Sequence, residues 1–358
     1  MSMNSDGARK GRGATLNPDN RFFRQRSETE HDGWATEPDP LKPLKTTVTV
    51  QQSRTIISRN TSPDIPFTQS INPYQGCEHG CVYCYARPSH AYLDLSPGLD
   101  FETRLFAKPN ATELLRKEMS SPRYQVSTIH IGGNTDPYQP IEREWKITRQ
   151  LLEVMLETRH PVSVITKNKL VLRDLDLLAE LAKLDLVRVF VSVTSLDLHL
   201  TQKLEPRASA PHRRLQTIEK LHEAGVPTGV MAAPLIPFIN DAELEAILEA
   251  AAKAGASSAG YTFIRLAHEL KDLFRDWLAE HEPLKLERVM AVINDVRGGR
   301  DNDPRFGSRM RGEGNFAELL RQRFAIAARK HGLNQTGRRE LRHDLFRAPE
   351  RSGQFALF

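Results

Sequence analysis

The chain is poor in cysteine, with 3 in 358 residues, which excludes a disulfide-stapled scaffold. It has no run of about 18 apolar residues, so no segment reads as a transmembrane helix. No apolar core follows the first Lys and Arg residues, so no secretory signal is read either. These absences lead to the expectation of a cytoplasmic protein whose thiols stay reduced and serve as metal ligands or nucleophiles. Apolar content is also low, at 39%, which implies that part of the chain is unpacked. Its first sixty-odd residues are rich in Gly, Asn, Asp, Arg, Ser and Thr and follow no period. Residues 1–64 therefore read as a largely disordered extension.

Beyond Pro66, short β-branched runs alternate with amphipathic helical patterns. The expected strands are Phe67 to Ile71, Gln125 to Ile131, Val162 to Thr166, Val187 to Val193, Pro227 to Ala233 and Ser257 to Ile264. Asn110 with Glu113 predicts a capping box. Gly225 and Gly255 stand where left-handed helix caps are expected. Near-continuously apolar strands separated by helices indicate a parallel sheet covered on its outer face. Strand signals stop after Ile264, so the predicted class is α/β, with a partial (β/α)6 barrel over residues 65–270. Residues 271–340 read as a helical C-terminal region and 341–358 as a tail. In such folds the chemistry sits on loops after the strands' C-terminal ends.

The cysteines occupy that kind of loop. In "INPYQGCEHGCVYCYAR" Cys77, Cys81 and Cys84 follow the first core strand, and Gly76 and Gly80 allow the tight turn that three thiolates facing one metal centre require. Zinc would take a fourth ligand, for which His79 and His90 are candidates. A four-iron cube usually takes four cysteines, and with no fourth cysteine in the chain one iron would stay open.

CxxxCxxC after the first strand of a β/α array, with Tyr83 before the last cysteine, resembles the radical S-adenosylmethionine superfamily over Pro66 to about Leu270. The resemblance implies a 4Fe-4S cluster on Cys77, Cys81 and Cys84 whose open iron chelates S-adenosylmethionine. It further implies reductive cleavage to a 5′-deoxyadenosyl radical that abstracts hydrogen from a substrate, with electrons from a donor such as flavodoxin or ferredoxin. Tyr83 matches the family's aromatic position against the adenine, its plain alternative being packing beneath the loop. "GGNTDP" follows the second strand where the family has a glycine-rich segment contacting the cofactor's amino group. Asn134 replaces the acidic residue common there, and Asp136 could supply the carboxylate or simply form an Asp-Pro turn. Lys167 after the third strand and Arg207 in "LEPRASAPHRR" are candidates for the cofactor's carboxylate. Ser192 and Thr194, on and after the fourth strand, are placed for ribose or carboxylate. Arg207 could instead be a loop charge, the serine a tolerated core residue, and His130 a satisfied core histidine.

"CxxxCxYCY" is similar to the spore photoproduct lyase-like branch, described as DNA repair photolyase-related, and the segments "GRGATLNPDNRF", "TDPYQPIE" and "RMRGEG" extend the likeness to an uncharacterised bacterial group. The branch implies nucleic acid as a substrate and a lyase or modification reaction. The lyase, however, uses a further cysteine near its second strand as hydrogen donor, where this chain has Gly132, Gly133 and Asn134. A tyrosine such as Tyr85 or Tyr138 could donate the hydrogen instead. Basic residues crowd the last sixty positions and read either as a phosphate-binding face or as solvated helix. "RFGSRMRGEG" among them reads as a basic substrate loop or a flexible joint. A binding module with a structural Fe-S or zinc site is the alternative to an enzyme.

The terminal "QFALF" resembles the peptide by which bacterial replication and repair proteins dock on the sliding clamp, with Gln354, Leu357 and Phe358 as anchors. A peptide carrying this tail is expected to bind the clamp in a fluorescence titration and to lose affinity when Leu357 and Phe358 become Ala. Equal affinity of the two peptides would remove the idea.

Overall fold

A computed structural model describes residues 11–23, 44–335 and 340–349. The anchors Gln354, Leu357 and Phe358 lie outside the described residues. Ten strands form in this region: β1 (Thr47–Val50), β2 (Ile57–Arg59), β3 (Gln69–Ile71), β4 (Tyr74–Gln75), β5 (Arg104–Ala107), β6 (Ile129–Ile131), β7 (Val162–Thr166), β8 (Val187–Ser192), β9 (Thr228–Leu235) and β10 (Ser258–Phe263).

Valine placement decides how the main sheet is covered. Val162, Val164, Val187, Val189, Val191 and Val230 are buried on one face, where each contributes about 1.5–3 kcal/mol against exposure. Helices Ala111–Met119, Ile147–Glu157, Leu175–Lys183, Pro211–Glu223 and Leu244–Lys253 supply apolar faces to the same core. The sheet runs β10-β9-β8-β7-β6-β3-β2, with every pair parallel except β2 with β3. Its six parallel strands are the expected partial barrel.

The near-continuously apolar reading holds only for the helix-covered face. Register places Ser70 beside His130, His130 beside Ser163 and Ser163 beside Arg188. Further along, Ser192 stands beside Met231 and Met231 beside Gly260. Because side chains alternate across a strand, these small and polar residues line the second face. His130 is satisfied there, as expected: Nδ1 meets Ser163 Oγ at 2.8 Å and the ring stacks on Phe67 with centroids 4.3 Å apart. Burial lowers its pKa to about 4.

Gly225 and Gly255 cap their helices at φ +76° and +95°, the conformation that glycine enters at no steric cost. The predicted capping box does not form. Asn110 instead exchanges two bonds with Ser53, its Oδ1 accepting from the backbone N–H at 3.3 Å and its Nδ2 donating to the carbonyl at 2.9 Å.

The helical reading of the C-terminal region is matched by Leu270–His281, Leu286–Val296 and Gly314–Lys330. "RFGSRMRGEG" between the last two is a built strap rather than a loose joint. Buried Arg297 donates to Ile264 O at 2.6 Å and Arg309 O at 2.8 Å, fixing the strap to the end of β10. Arg309 then donates to Asp64 from Nε at 2.7 Å and from Nη2 at 2.5 Å, and Gly307 N–H reaches the same carboxylate at 3.1 Å. Asp64 lies between β2 and β3, so one strap ties the two ends of the open sheet together.

The described parts of residues 1–64 are packed, contrary to the disordered reading. Local composition does not report contacts made with distant segments, and this arm is held by such contacts. β1 pairs in parallel with β5, which pairs antiparallel with β4 to make a second, three-stranded sheet. Residues 12–14 cross the cysteine loop so closely that a Cβ on Gly13 would sit 1.7 Å from Gly80 O. Glu102 holds the crossing: its carboxylate accepts from Gly13 N–H at 3.0 Å and Ala14 N–H at 2.8 Å. The same carboxylate pairs with Arg87, both groups having no solvent exposure. Arg87 Nε in turn donates to Cys81 O at 2.8 Å.

Glu102→Gln leaves the Arg87 guanidinium buried without a counter-charge and is expected to destabilise the chain by about 3–5 kcal/mol. Urea unfolding of the full-length protein measures this, and a loss below about 1 kcal/mol would refute the role assigned to Glu102.

Candidate active site

Cys77, Cys81 and Cys84 lie on the loop that leaves β3 through β4. Gly76 and Gly80 adopt φ of +75° and +69°, as the turn demands. A bulkier residue would also collide, since a Cβ at Gly76 would meet the Leu105 side chain at 2.6 Å. Cys77 and Cys81 are buried and Cys84 is half-buried. Burial pushes all three thiols up, and the charges of neighbouring cysteines raise Cys77 and Cys81 further. Deprotonation there calls for a compensating positive centre alongside. Three unpaired, adjacent thiols fit an iron-sulfur cluster held from one side. His79 turns Nδ1 to Asp136 at 3.4 Å and Nε2 to Asn168 at 3.1 Å, while His90 commits Nε2 to Arg104 O at 2.9 Å. His79 is thus engaged on both ring nitrogens, whereas the buried Nδ1 of His90 has no partner among the described residues, and among the described residues no group of three or more His, Cys, Asp or Glu is arranged to hold a single metal ion.

The loops after β6, β7 and β8 meet the cysteine loop at the sheet's C-terminal rim. Lys167 Nζ lies 3.0 Å from Ser192 Oγ, from Thr194 Oγ1 and from Glu205 Oε1. Burial lowers its pKa to about 8, opposed by the nearby Cys81. A cation flanked by two hydroxyls can hold a carboxylate or a sugar hydroxyl, so Lys167, Ser192 and Thr194 form one constellation, as their positions after successive strands predict.

Tyr83 belongs to the floor of that constellation. Its hydroxyl donates to Glu205 and meets Thr194 Oγ1 at 3.2 Å, and Lys167 Nζ stands 5.6 Å from the ring centroid. The ring is buried. Asn134 engages through its backbone, N–H to Asn72 Oδ1 at 2.9 Å.

Asp136 does more than form a turn. It accepts from Tyr138 N–H at 2.8 Å, Thr166 Oγ1 at 2.7 Å and Lys167 N–H at 2.7 Å. Burial alone would raise its pKa, but His79 and these donors hold it below the usual carboxylate range. Its oxygens are thus occupied by the chain itself, and Asp136 bolts the cysteine loop to the end of β7. Arg207 is likewise committed: it pairs with Glu78, and its N–H donates to His79 O at 3.2 Å. Both residues position the loop.

The two tyrosines offered as hydrogen donors separate cleanly. Tyr85 is 53% exposed at the rim, its hydroxyl donating to Gly133 O. Tyr138 is fully buried and donates to Asp174 Oδ2 at 3.1 Å, which removes it from the rim.

Glu205 and Arg214 escape the sequence reading. Glu205 gathers Tyr83, Thr194, Lys167 and Arg214, with burial raising its pKa against the pull of Arg214. Arg214 continues to Ser192 O at 3.0 Å. Glu205 stands two positions before Arg207 in a loop that carries no periodic signal. Arg265 follows β10 and could have been found from the strand-end rule. It has no carboxylate partner among the described residues, and its electrostatic neighbours include Arg309, Tyr85 and Asp64.

Comparison with known proteins assigns the chain to a family. A protein from Mycobacterium tuberculosis (strain ATCC 25618 / H37Rv), itself described as uncharacterised, is 34% identical over 271 residues, covering 75% of this chain and 76% of its own length. An uncharacterised protein of Methanocaldococcus jannaschii is 28% identical over 173 residues, 48% of this chain and 62% of that protein. Among solved structures, spore photoproduct lyase complexed with dinucleoside spore photoproduct matches with a TM-score of 0.57 at 16% identity, covering 80% of each chain. A mutant of that lyase with bound AdoMet and dinucleoside spore photoproduct gives 0.58 at 15% identity, again over 80% of each chain. At such identity these structures establish a shared fold. The Radical SAM superfamily profile matches residues 71–251, from the end of β3 through the last covering helix, and the chain belongs to the radical SAM superfamily.

Proposed function

We propose that this protein is a radical S-adenosylmethionine enzyme that modifies or cleaves a nucleic-acid substrate. The observation that carries the reading is the meeting of three adjacent cysteines with the Lys167–Ser192–Thr194 cradle at one rim of the sheet. Cys77, Cys81 and Cys84 would hold a 4Fe-4S cluster. When bound, the cluster and S-adenosylmethionine together supply reductive carbon–sulfur cleavage and hence a 5′-deoxyadenosyl radical. Lys167 would neutralise the cofactor's carboxylate, and the Ser192 and Thr194 hydroxyls would fix its orientation. Tyr83 and Glu205 would keep the Lys167 ammonium in place from beneath, through the bonds that join all three.

The small and polar face that runs from Ser70 to Gly260 would receive the substrate. A nucleic-acid substrate is supported by the fold shared with a lyase whose structure holds a dinucleoside photoproduct. Photoproduct reversal through a cysteine is not available here, because all three cysteines lie on the cluster loop. Tyr85, exposed at the rim, would return hydrogen to the substrate radical. Clamp docking through Gln354, Leu357 and Phe358 would bring such an enzyme to newly replicated or repaired DNA.

Anaerobic reconstitution with iron and sulfide, followed by reduction and addition of S-adenosylmethionine, is expected to yield 5′-deoxyadenosine. Cys81→Ala should lose both the cluster's visible absorbance and this product. Lys167→Ala should keep the absorbance but need about tenfold more S-adenosylmethionine, as fits the loss of one to two charge-assisted hydrogen bonds. A cluster-loaded protein that forms no 5′-deoxyadenosine would overturn the enzyme reading. With substrate in hand, Tyr85→Phe is expected to release 5′-deoxyadenosine while turnover to product falls, and unchanged turnover would count against Tyr85.

A further inference from the structure

Away from the cysteine rim, a groove of about 300 Å³ opens between β10 and the helix Gly314–Lys330. Alternation along β10 assigns it to the opposite side of the sheet from the proposed substrate face: Gly260 pairs beside Met231 on that face, and Tyr261, the next residue, points to the other. Tyr261 packs against Phe324 of the helix, with ring centroids 4.8 Å apart. The residue is 7% exposed and lines the groove, yet its buried hydroxyl has no hydrogen-bond partner. A buried phenol normally finds one, and leaving it unmade costs about 1–3 kcal/mol.

Arg311, Arg321 and Arg329 line the same groove, and the charges acting on Tyr261 are those of Arg311, Arg321 and Glu318. The Arg311 guanidinium lies 5.9 Å from the Tyr261 ring centroid. Arg321 pairs with Glu318. Arg311 and Arg329 have no carboxylate partner among the described residues. Three guanidinium groups and one carboxylate thus share the groove among the described residues, leaving positive charge in excess in a groove that also holds an unused donor. The wall opposite is held firm. Asn334 pins the edge of β10 by accepting from Ala259 N–H at 3.0 Å and donating to Ala259 O at 3.1 Å. Planar guanidinium forks match the tetrahedral oxygens of phosphate better than they match a single point acceptor.

We propose that this groove is a phosphate-binding site in which Arg311 and Arg329 grip phosphate oxygens and the Tyr261 hydroxyl donates to one of them. The phosphate comes either from the backbone of a nucleic-acid strand or from a small phosphorylated metabolite. The site stands apart from the cysteine rim, so it holds whether or not the radical reading does.

The test uses the full-length protein with two probes, a fluorescently labelled single-stranded oligodeoxynucleotide and inorganic pyrophosphate. Anisotropy follows the first and calorimetry the second. The double variant R311A/R329A is expected to weaken binding at least tenfold. If the strand is the source, the slope of log affinity against log salt should also fall by about 1.4, the release expected for two phosphate contacts on a single strand. Tyr261→Phe should weaken binding a few-fold and leave that slope unchanged. Loss of oligonucleotide binding identifies a strand as the source, and loss of pyrophosphate binding alone identifies a small phosphorylated ligand. Equal affinity of wild type and R311A/R329A for both probes overturns the proposal. Formation of 5′-deoxyadenosine, measured on the same preparations, is expected to be unaffected by R311A/R329A, which keeps this outcome separate from that of the radical chemistry.

Discussion

The Glu102 carboxylate is the interaction on which the cysteine loop depends. It has no access to solvent, so its charge must be met within the fold. Arg87 meets it from the chain that follows the cysteines, and two backbone N–H groups of the N-terminal arm complete it. Through Arg87 the same charge reaches the carbonyl of Cys81. A second acidic residue, Asp136, performs the matching task from the far side by joining His79 to the end of β7. The cysteine loop hangs between two carboxylates, Glu102 fully buried and Asp136 nearly so, and this lets a segment without regular structure hold a fixed shape.

Charge also organises the rim beyond the cysteines. Glu205 takes bonds from Tyr83, Thr194, Lys167 and Arg214, so a buried acid, two cations and two hydroxyls form one network. Lys167 is held less basic than an ordinary lysine by burial. It nonetheless stands beside thiols whose deprotonation needs positive charge nearby. Such an arrangement favours anionic groups arriving at the rim over neutral ones, whatever the substrate.

Much of this was legible in the residues. β7 falls on the expected span, and the other five core strands start or end within a few residues of theirs. The cysteines, Lys167, Ser192 and Thr194 converge because strand ends in a parallel sheet converge, a rule that needs only strand positions. What escaped were contacts between segments distant in sequence. Residues 12–16 looked unstructured because their partners, Glu102 and Gly80, are supplied by remote parts of the chain. Asn110 matched a local capping pattern yet found Ser53 instead. Arg207 was read for its charge toward a cofactor, and its ion pair with Glu78 on the cysteine loop gave no signal in the sequence. Glu205, the hub, gave no signal because a single acid in an irregular loop resembles any solvated one.

The crossing of Gly13 over Gly80 ties the geometry of two distant segments together. Where a methyl would land 1.7 Å from a carbonyl oxygen, the arm can accept a side chain only if the cysteine loop retreats, and that loop is already fixed from both sides by Glu102 and Asp136. Position 13 is therefore constrained as tightly as a ligand position, although it carries no functional group. A displaced arm would be felt at the cysteines it crosses.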